Sequence, residues 1–274
     1  MSVLSSDVFS LHRGDAPLLV SIPHLGLGLP ADCTAGMTEV AQLQRDADWH
    51  LDRLYAFARE LGASVLAARL SRYVVDLNRP PGGESLYPGQ TTTGLFPTES
   101  FRGEPIYRPG REPDEAERAR RLRRYWQPYH DALAAELARL RGAHGAVLLW
   151  EAHSIAGELP RLFDGELPAL NFGTNEGRSC ARGLREATLA AASGSAFSQV
   201  IDGRFKGGYI TRRYGDPASG VHAIQLEMAQ RVYMQEEPPF AYLPERASRV
   251  QPLLRDMLQA GIVAVSALGR AGAT

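Results

Sequence analysis

Two histidines and a carboxylate follow short apolar runs in the sequence. His24 comes directly after LLVSIP, His153 comes shortly after AVLLW, and Glu227 ends AIQLE. Imidazole and carboxylate groups are common zinc ligands, and a catalytic zinc site uses three such ligands and leaves one position for water. A carboxylate at the end of a buried strand is a candidate general base that could take a proton from that water. The residue types therefore indicate metal-assisted hydrolysis, although each residue taken singly could also serve an ordinary hydrogen bond or salt bridge.

The segment DADWHLD, residues 46–52, offers the carboxylate that such a metal site needs. Its three aspartates and one histidine are more polar groups than the capping of one helix requires. Asp46, Asp48 and His50 all remain candidates for the third ligand at this point. The candidates lie far apart in the sequence, and no short zinc motif such as HExxH is present. The fold must therefore bring them together.

Apolar runs and helical spacing predict the elements that would position these residues. We predict strands at 18–23, 64–70, 73–77, 146–150, 167–172 and 223–227, and helices at 46–61, 112–142, 181–192 and 246–260. Pro128 should kink or split the second helix near residue 127. Strands that alternate with helices indicate an α/β fold, in which sites form at the carboxyl ends of the strands. We expect a single domain over residues 1–274, with a central, mixed, mostly parallel sheet flanked by helices.

The stretch from Pro80 to Arg111 is rich in glycine, proline and threonine and shows no apolar periodicity. A loop of this length inside a compact domain is usually either functional or disordered. The sequence leaves open whether it closes over a ligand.

Composition and charge exclude several classes of protein. Of the 274 residues, 44% are hydrophobic, which is typical of globular rather than disordered chains. The net charge of −1 argues against a nucleic-acid partner, despite the arginine-rich run at 118–124. We find no signal peptide and no apolar run approaching the ~20 residues that cross a bilayer, so no membrane partner is expected. Two cysteines are too few for a disulfide framework, which favours the cytoplasm. The oligomeric state is not indicated.

Seven segments together resemble bacterial N-formylglutamate deformylases, also called N-formylglutamate amidohydrolases, and the resemblance runs from about residue 18 to residue 258. They are SIPHLG, DADWHLDRLY, SRYVVDLNR, LYPGQTTTGL, WEAHS, GGYITRRYG and HAIQLEM. This family resembles zinc carboxypeptidases and aspartoacylases in fold, which implies a zinc-carboxypeptidase-like (phosphorylase/hydrolase-like) α/β domain. The resemblance also implies hydrolysis of a small molecule, N-formyl-L-glutamate, to formate and L-glutamate at the end of one histidine-degradation route.

The resemblance implies a role for each candidate residue. His24, Asp48 and His153 are expected to bind one divalent metal ion, Zn²⁺. Glu227 is expected to activate the attacking water, and Arg72 is expected to polarise the scissile carbonyl. In this reaction the metal and the arginine would hold the negative charge that develops on the tetrahedral intermediate.

The expected substrate carries two carboxylates, so its pocket should contain two cationic anchors. The resemblance implies that Asn78 and Arg79 bind one carboxylate. Arg212, which follows the glycines of FKGGYITRRYG, is expected to bind the other. One departure from the carboxypeptidase pattern is the missing HxxE, because Leu27 stands where the acidic residue would follow His24.

Two alternative functions remain consistent with the sequence. The first is a related amidohydrolase that acts on another N-acyl acidic amino acid or on a peptide, which would need a roomier acyl pocket. The second is a non-catalytic protein that binds small acids. Such a binder would have no use for His24, His153 and Glu227 together, since these groups suit the activation of water.

Overall fold

A mixed β-sheet forms the centre of the computed structural model, which describes residues 3–86, 89 and 91–272. Its strands are β1 (Val3–Ser5), β2 (Phe9–His12), β3 (Leu18–Ile22), β4 (Ser64–Ala68), β5 (Val147–Ile155), β6 (Leu170–Gly173), β7 (Gln199–Ile201) and β8 (Val221–Ala229). Their spatial order is β1-β2-β4-β3-β5-β8-β6-β7. The central strands β4, β3, β5 and β8 pair in parallel, and so do β6 and β7. The pairs β1–β2, β2–β4 and β8–β6 are antiparallel. The expected mixed, mostly parallel sheet is confirmed.

Helices cover both faces of this sheet. They are α1 (Ala31–Thr34), α2 (Glu39–Gln42), α3 (Leu51–Leu54), α4 (Glu115–Arg121), α5 (Gln127–His144), α6 (Arg182–Ala190), α7 (Tyr209–Tyr214) and α8 (Pro244–Ala271). Shorter 3₁₀ segments lie at Ala56–Arg59, Pro217–Ser219 and Gln230–Val232, and a π-helical segment lies at Leu122–Trp126. Within the described residues, we find no helix with the length and apolar character needed to cross a membrane.

The core lies on both sides of β5, whose nine residues are all buried. Leu148 and Trp150 pack in the cluster that includes residues of α6 and α8, whereas Leu149 packs in the cluster that includes residues of α5. Burial of each such side chain contributes roughly 1.5–3 kcal/mol. Because side chains alternate along a strand, His153 points to the same face as Leu149. A site that includes His153 must therefore lie on the face of the sheet to which Leu149 points.

The predicted helix at 46–61 is wrong. Only α3 and the 3₁₀ segment Ala56–Arg59 are helical in this region. His50, directly before α3, has a φ of 62°, a left-handed conformation that a continuous helix does not allow. Asp48 is instead held by another segment, because its N–H donates to the carbonyl oxygen of His24 at 2.9 Å. The polar side chains of DADWHLD therefore do not share helix faces.

The predicted strand at 73–77 is also wrong, because this segment consists of turns. The N–H of Val74 donates to the carbonyl of Ser71 at 2.9 Å, and Oδ1 of Asp76 accepts the N–H of Asn78 at 2.9 Å. Local hydrogen bonds of this kind compete with a sheet ladder. In a strand, successive side chains would alternate between the two faces of the sheet. In these turns the polar side chains do not follow that alternation.

Two predicted helices differ in detail from the observed ones. The kink or split expected near residue 127 corresponds to a change of helix type, since a π-helical segment ends at Trp126 and Pro128 lies in the first turn of α5, while the helical backbone continues through this point. The C-terminal helix α8 extends well past the predicted end at residue 260. Within it, Gly261 packs closely on the sheet, where a Cβ would lie 2.6 Å from Cδ2 of Leu148. Strands β1, β2 and β7 and helix α7 were not predicted.

Candidate active site

The carboxyl ends of β3, β5 and β8 meet at one edge of the sheet. His24 lies two residues after β3, His153 lies near the end of β5, and Glu227 lies near the end of β8. His153 and Glu227 are direct partners in the parallel register of β5 and β8. All three side chains are buried. The sheet therefore brings together the three residues that the sequence predicted at strand ends.

Asp48 completes a group of three possible metal ligands with His24 and His153. Their ligand atoms all lie within 4.8 Å of one another. Oδ2 of Asp48 is 3.8 Å from Nδ1 of His24 and 3.1 Å from Nδ1 of His153. Burial lowers the pKa of His24 to about 3 and the pKa of His153 to about 4, so both imidazoles are neutral at pH 7 and keep a lone pair. Two neutral imidazoles and one carboxylate form a donor set that suits zinc.

The two other candidates for the third ligand are engaged elsewhere. Oδ2 of Asp46 accepts the N–H of Phe101 at 2.8 Å. The ring nitrogen Nε2 of His50 lies 2.7 Å from the carbonyl oxygen of Phe240. Within the described residues, Asp48 is thus the member of DADWHLD that joins the two histidines.

Asp76 fixes the orientation of His24, and sequence reasoning missed it. Its Oδ1 accepts a hydrogen bond from Nε2 of His24 at 2.7 Å, and its Oδ2 accepts one from Nη2 of Arg72 at 2.6 Å. Burial alone would raise the pKa of Asp76, but Arg72 and His24 outweigh it and hold that pKa well below the usual value. With its proton held on Nε2, His24 turns the lone pair of Nδ1 toward Asp48. Carboxylates in this position orient histidine ligands and raise their basicity. The signal was available, since Asp76 lies in DLNR.

His153 has two further polar neighbours. Nδ2 of Asn78 lies 3.1 Å from its Nε2 atom, and Oε1 of Glu151 lies 3.8 Å from the same atom. Glu151 is fully buried, and its two carboxyl oxygens accept no hydrogen bond within the described part of the chain. Burial raises the pKa of Glu151 well above its ordinary value, which favours the uncharged form of this carboxyl.

A cavity opens in front of these groups, bordered by His24, His153, Glu227 and Arg72. Burial raises the pKa of Glu227 to about 7. The guanidinium of Arg72, held by Asp76, lies 4.6 Å from the centre of the Phe101 ring. The cavity therefore contains two groups suited to catalysis. One is a carboxyl that can exchange a proton near neutral pH, and the other is a cation held in a fixed position.

Arg79 and Arg204 also border the cavity. Nε of Arg79 donates to the carbonyl oxygen of Thr93 at 2.9 Å. Nε of Arg204 donates to the carbonyl oxygen of Leu162 at 3.0 Å, and its Nη2 donates to the carbonyl oxygen of Thr91 at 3.2 Å. These backbone contacts fix two guanidinium groups on the walls of the cavity.

Arg212, the expected second anchor, lies outside the set of residues that border this cavity. It belongs to α7, whose buried residues Ile210 and Thr211 turn inward, and its Nε donates to the carbonyl oxygen of Gly207 at 2.8 Å. Arg204 precedes α7 in a loop after β7. Sequence reasoning missed it because no strand or helix pattern predicts where a loop of this kind will fold.

The chain is similar to a known protein family and to bacterial proteins of known name. The family model of N-formylglutamate amidohydrolase matches residues 16–234. N-formylglutamate deformylase of Pseudomonas aeruginosa is 52% identical over 256 residues, covering 92% of this chain and 95% of that protein. N-formylglutamate deformylase of Pseudomonas putida is 50% identical over 254 residues, with the same coverage of both chains.

A crystal structure of N-formylglutamate amidohydrolase from Ralstonia eutropha JMP134 superposes with a TM-score of 0.78 at 25% identity. The match covers 97% of this chain and 100% of that one. A protein of Agrobacterium tumefaciens at 22% identity shares the fold with a TM-score of 0.71, over 92% of this chain and 94% of that one. The matched residues include His24, Asp48, His153 and Glu227 in their range. The chain belongs to the N-formylglutamate amidohydrolase family.

Proposed function

We propose that this protein hydrolyses the amide bond of N-formyl-L-glutamate and releases formate and L-glutamate. The observation that carries the proposal is the grouping of His24, Asp48 and His153 within 4.8 Å beside the buried carboxyl of Glu227. Membership of the amidohydrolase family and the names of the Pseudomonas relatives support the choice of substrate. The arginines on the cavity walls suit an anionic substrate.

His24, Asp48 and His153 would hold one divalent metal ion, for which zinc is our proposal. Bound there, the ion would supply Lewis-acid polarisation of a carbonyl oxygen and a lowered pKa for water. The chain's own contribution is the geometry. Asp76 fixes the ring of His24, and the strand pairing of β5 and β8 fixes His153 next to Glu227.

Glu227 acts as the general base in this proposal and returns the proton to the departing amine nitrogen. A carboxyl whose pKa burial has raised to about 7 can both accept and release a proton near neutral pH. Arg72 donates hydrogen bonds to the negative charge that develops on the formyl oxygen. Because Asp76 holds the guanidinium in place beforehand, little reorganisation is needed when that charge appears.

Arg79 and Arg204 bind the two substrate carboxylates from the cavity walls. Asn78, which was expected to share this task with Arg79, has its Oδ1 engaged by the N–H of Ile210 at 2.8 Å. We assign it to the support of the site, between His153 and the start of α7.

Two variants test whether Arg204 or Arg212 binds a carboxylate of the substrate. Arg204→Ala is expected to lower kcat/KM for N-formyl-L-glutamate by roughly 30-fold, since loss of one charged partner costs about 2 kcal/mol in a partly open site. The loss should be much smaller for N-formyl-L-glutamine if Arg204 binds the side-chain carboxylate, and equally large if it binds the α-carboxylate. Arg212→Ala is the matched control and should leave both values near wild type. A large loss in the control, with Arg204→Ala unaffected, would reverse the assignment.

Substrate profiling tests the proposed function itself. Zinc-loaded protein should release formate from N-formyl-L-glutamate far faster than it releases acetate or succinate from the N-acetyl or N-succinyl compounds. Preference for a larger acyl group or for a peptide would indicate a related amidohydrolase instead. Binding of the substrate without hydrolysis by metal-loaded protein would indicate a binder of small acids.

Three further points belong to the proposal. Residues 1–274 form a single domain, which the packing of α8 against the central sheet supports beyond the family match. The protein works in the cytoplasm, which the free, buried thiols of Cys33 and Cys180 support. Its substrate would come from histidine degradation.

A further inference from the structure

The start of α7 is held between two amide side chains, Asn78 and Gln225. Oδ1 of Asn78 accepts the N–H of Ile210 at 2.8 Å, and Oε1 of Gln225 accepts the N–H of Gly208 at 2.7 Å. The backbone packs tightly here, because a Cβ at Gly208 would lie 2.3 Å from Nδ2 of Asn78. The two amides thus grip one short segment from both sides.

These two hydrogen bonds decide which way each amide group faces. A backbone N–H can only donate, so each amide must turn its oxygen to α7 and its NH₂ group in the opposite direction. In Asn78 the NH₂ group lies 3.1 Å from Nε2 of His153. The NH₂ group of Gln225 donates to no protein acceptor within the described residues, although the side chain is only 3% exposed and borders the cavity. An NH₂ group with open hydrogen-bonding capacity, on a buried side chain, therefore faces the cavity.

The position of Gln225 on β8 indicates what it faces. It lies two residues before Glu227, so both side chains project from the same face of the sheet, about 7 Å apart along the strand. If the scissile amide lies next to Glu227, a donor at that distance faces a part of the substrate remote from the formyl carbon. The hydrogen-bond acceptors in that part of N-formyl-L-glutamate are its carboxylates.

We propose that Nε2 of Gln225 donates a hydrogen bond to a carboxylate of the substrate and helps to select dicarboxylic substrates. This inference rests on the proposed function for the identity of the substrate. Gln225 then serves two purposes, since one end of its amide holds α7 and the other end binds the ligand. A neutral donor in a buried place recognises an anion without adding another charge beside Glu227.

Gln225→Glu separates the two purposes. The variant keeps an oxygen that accepts the N–H of Gly208, but it presents an acceptor to the cavity in place of the NH₂ group. We expect KM for N-formyl-L-glutamate to rise roughly 10- to 100-fold, the usual effect of losing a hydrogen bond to a charged group. The added carboxyl lies near Glu227 and will also change kcat, so the effect on KM is compared with that of Gln225→Met, which adds no charge. Tm and zinc content should stay near wild type. An unchanged KM would show that Gln225 only holds Gly208.

A second variant and two substrate analogues complete the test. Gln225→Met removes both amide groups without adding a charge, and it serves if the glutamate variant fails to fold. N-formyl-L-glutamine and the α-amide of N-formyl-L-glutamate each lack one carboxylate. With either variant, the analogue that lacks the carboxylate bound by Gln225 should lose much less than N-formyl-L-glutamate does. Equal losses on all three compounds would overturn the inference.

Failure of the proposed function would be recognisable separately. In that case the wild-type protein would release no formate from any of the three compounds. The inference would then be judged by calorimetry with glutarate, a dicarboxylate that needs no turnover. We expect the same 10- to 100-fold weakening in Gln225→Met, which adds no charge that could repel the dicarboxylate, and equal affinity of wild type and variant would overturn the inference.

Discussion

Glu227→Gln is expected to lower kcat for N-formyl-L-glutamate by about 10²–10⁴, the usual effect of losing a general base. Glutamine keeps the shape of the side chain but cannot accept the proton. Since the carboxyl is buried and its pKa is raised to about 7, the neutral amide should fit without loss of stability. Steady-state formate release measures kcat, and atomic absorption measures the bound metal, which should be unchanged.

The exposed carboxylate of Glu158 offers a control for this variant. Glu158→Gln should leave kcat unchanged. If Glu227→Gln retains kcat within a few-fold of wild type while its metal content is normal, another group must take the proton. Glu151 would be examined next, because it lies on the same face of the sheet and 3.8 Å from His153.

His153→Ala is expected to remove both the bound metal and the activity. The remaining pair, His24 and Asp48, leaves one imidazole and one carboxylate, too few protein ligands for a stable zinc site. Metal content should fall from about one ion per chain toward zero, and formate release should fall to background. Circular dichroism should show a folded protein, because the side chain lies in a polar cavity rather than in the apolar core.

His50→Ala is the matched control, since His50 was a candidate ligand that the structure places elsewhere. It should keep the metal and lose some stability, because the contact to Phe240 and the ring contacts with Trp49 and Tyr242 are removed. Full metal occupancy in His153→Ala, or loss of metal in His50→Ala, would contradict the ligand set.

The strands that carry the chemistry could be predicted because their burial is nearly complete. β3, β5 and β8 each contain a short, mainly apolar run, so the polar residues in and after these runs stand out in the sequence. The parallel arrangement then places His24, His153 and Glu227 at one edge. These features depend on local sequence and on general rules of sheet topology.

The geometry of the rest of the site could not be predicted from local patterns, because it depends on contacts between distant segments, although the family resemblance named several of its residues. The geometry of Asp48 follows from its hydrogen bond to the backbone of His24, and local helix propensity gave the wrong structure there. Arg204 reaches the cavity only because its loop folds against Thr91 and Leu162. The orientation of the Gln225 amide is set by the N–H of Gly208, which no spacing pattern encodes.

The pairing of β3 with β5, and of β5 with β8, has a consequence for synthesis of the protein. The three strands begin at residues 18, 147 and 221, so their contacts span long stretches of chain, and such contacts form late in folding. On the ribosome, His24 and Asp48 emerge long before His153, and Glu227 emerges later still. A nascent chain therefore contains two of the three proposed metal ligands while residues 49–152 are being added. If the proposed site binds a metal ion, its capture should coincide with the pairing of these strands, so metal uptake would report a late folding step.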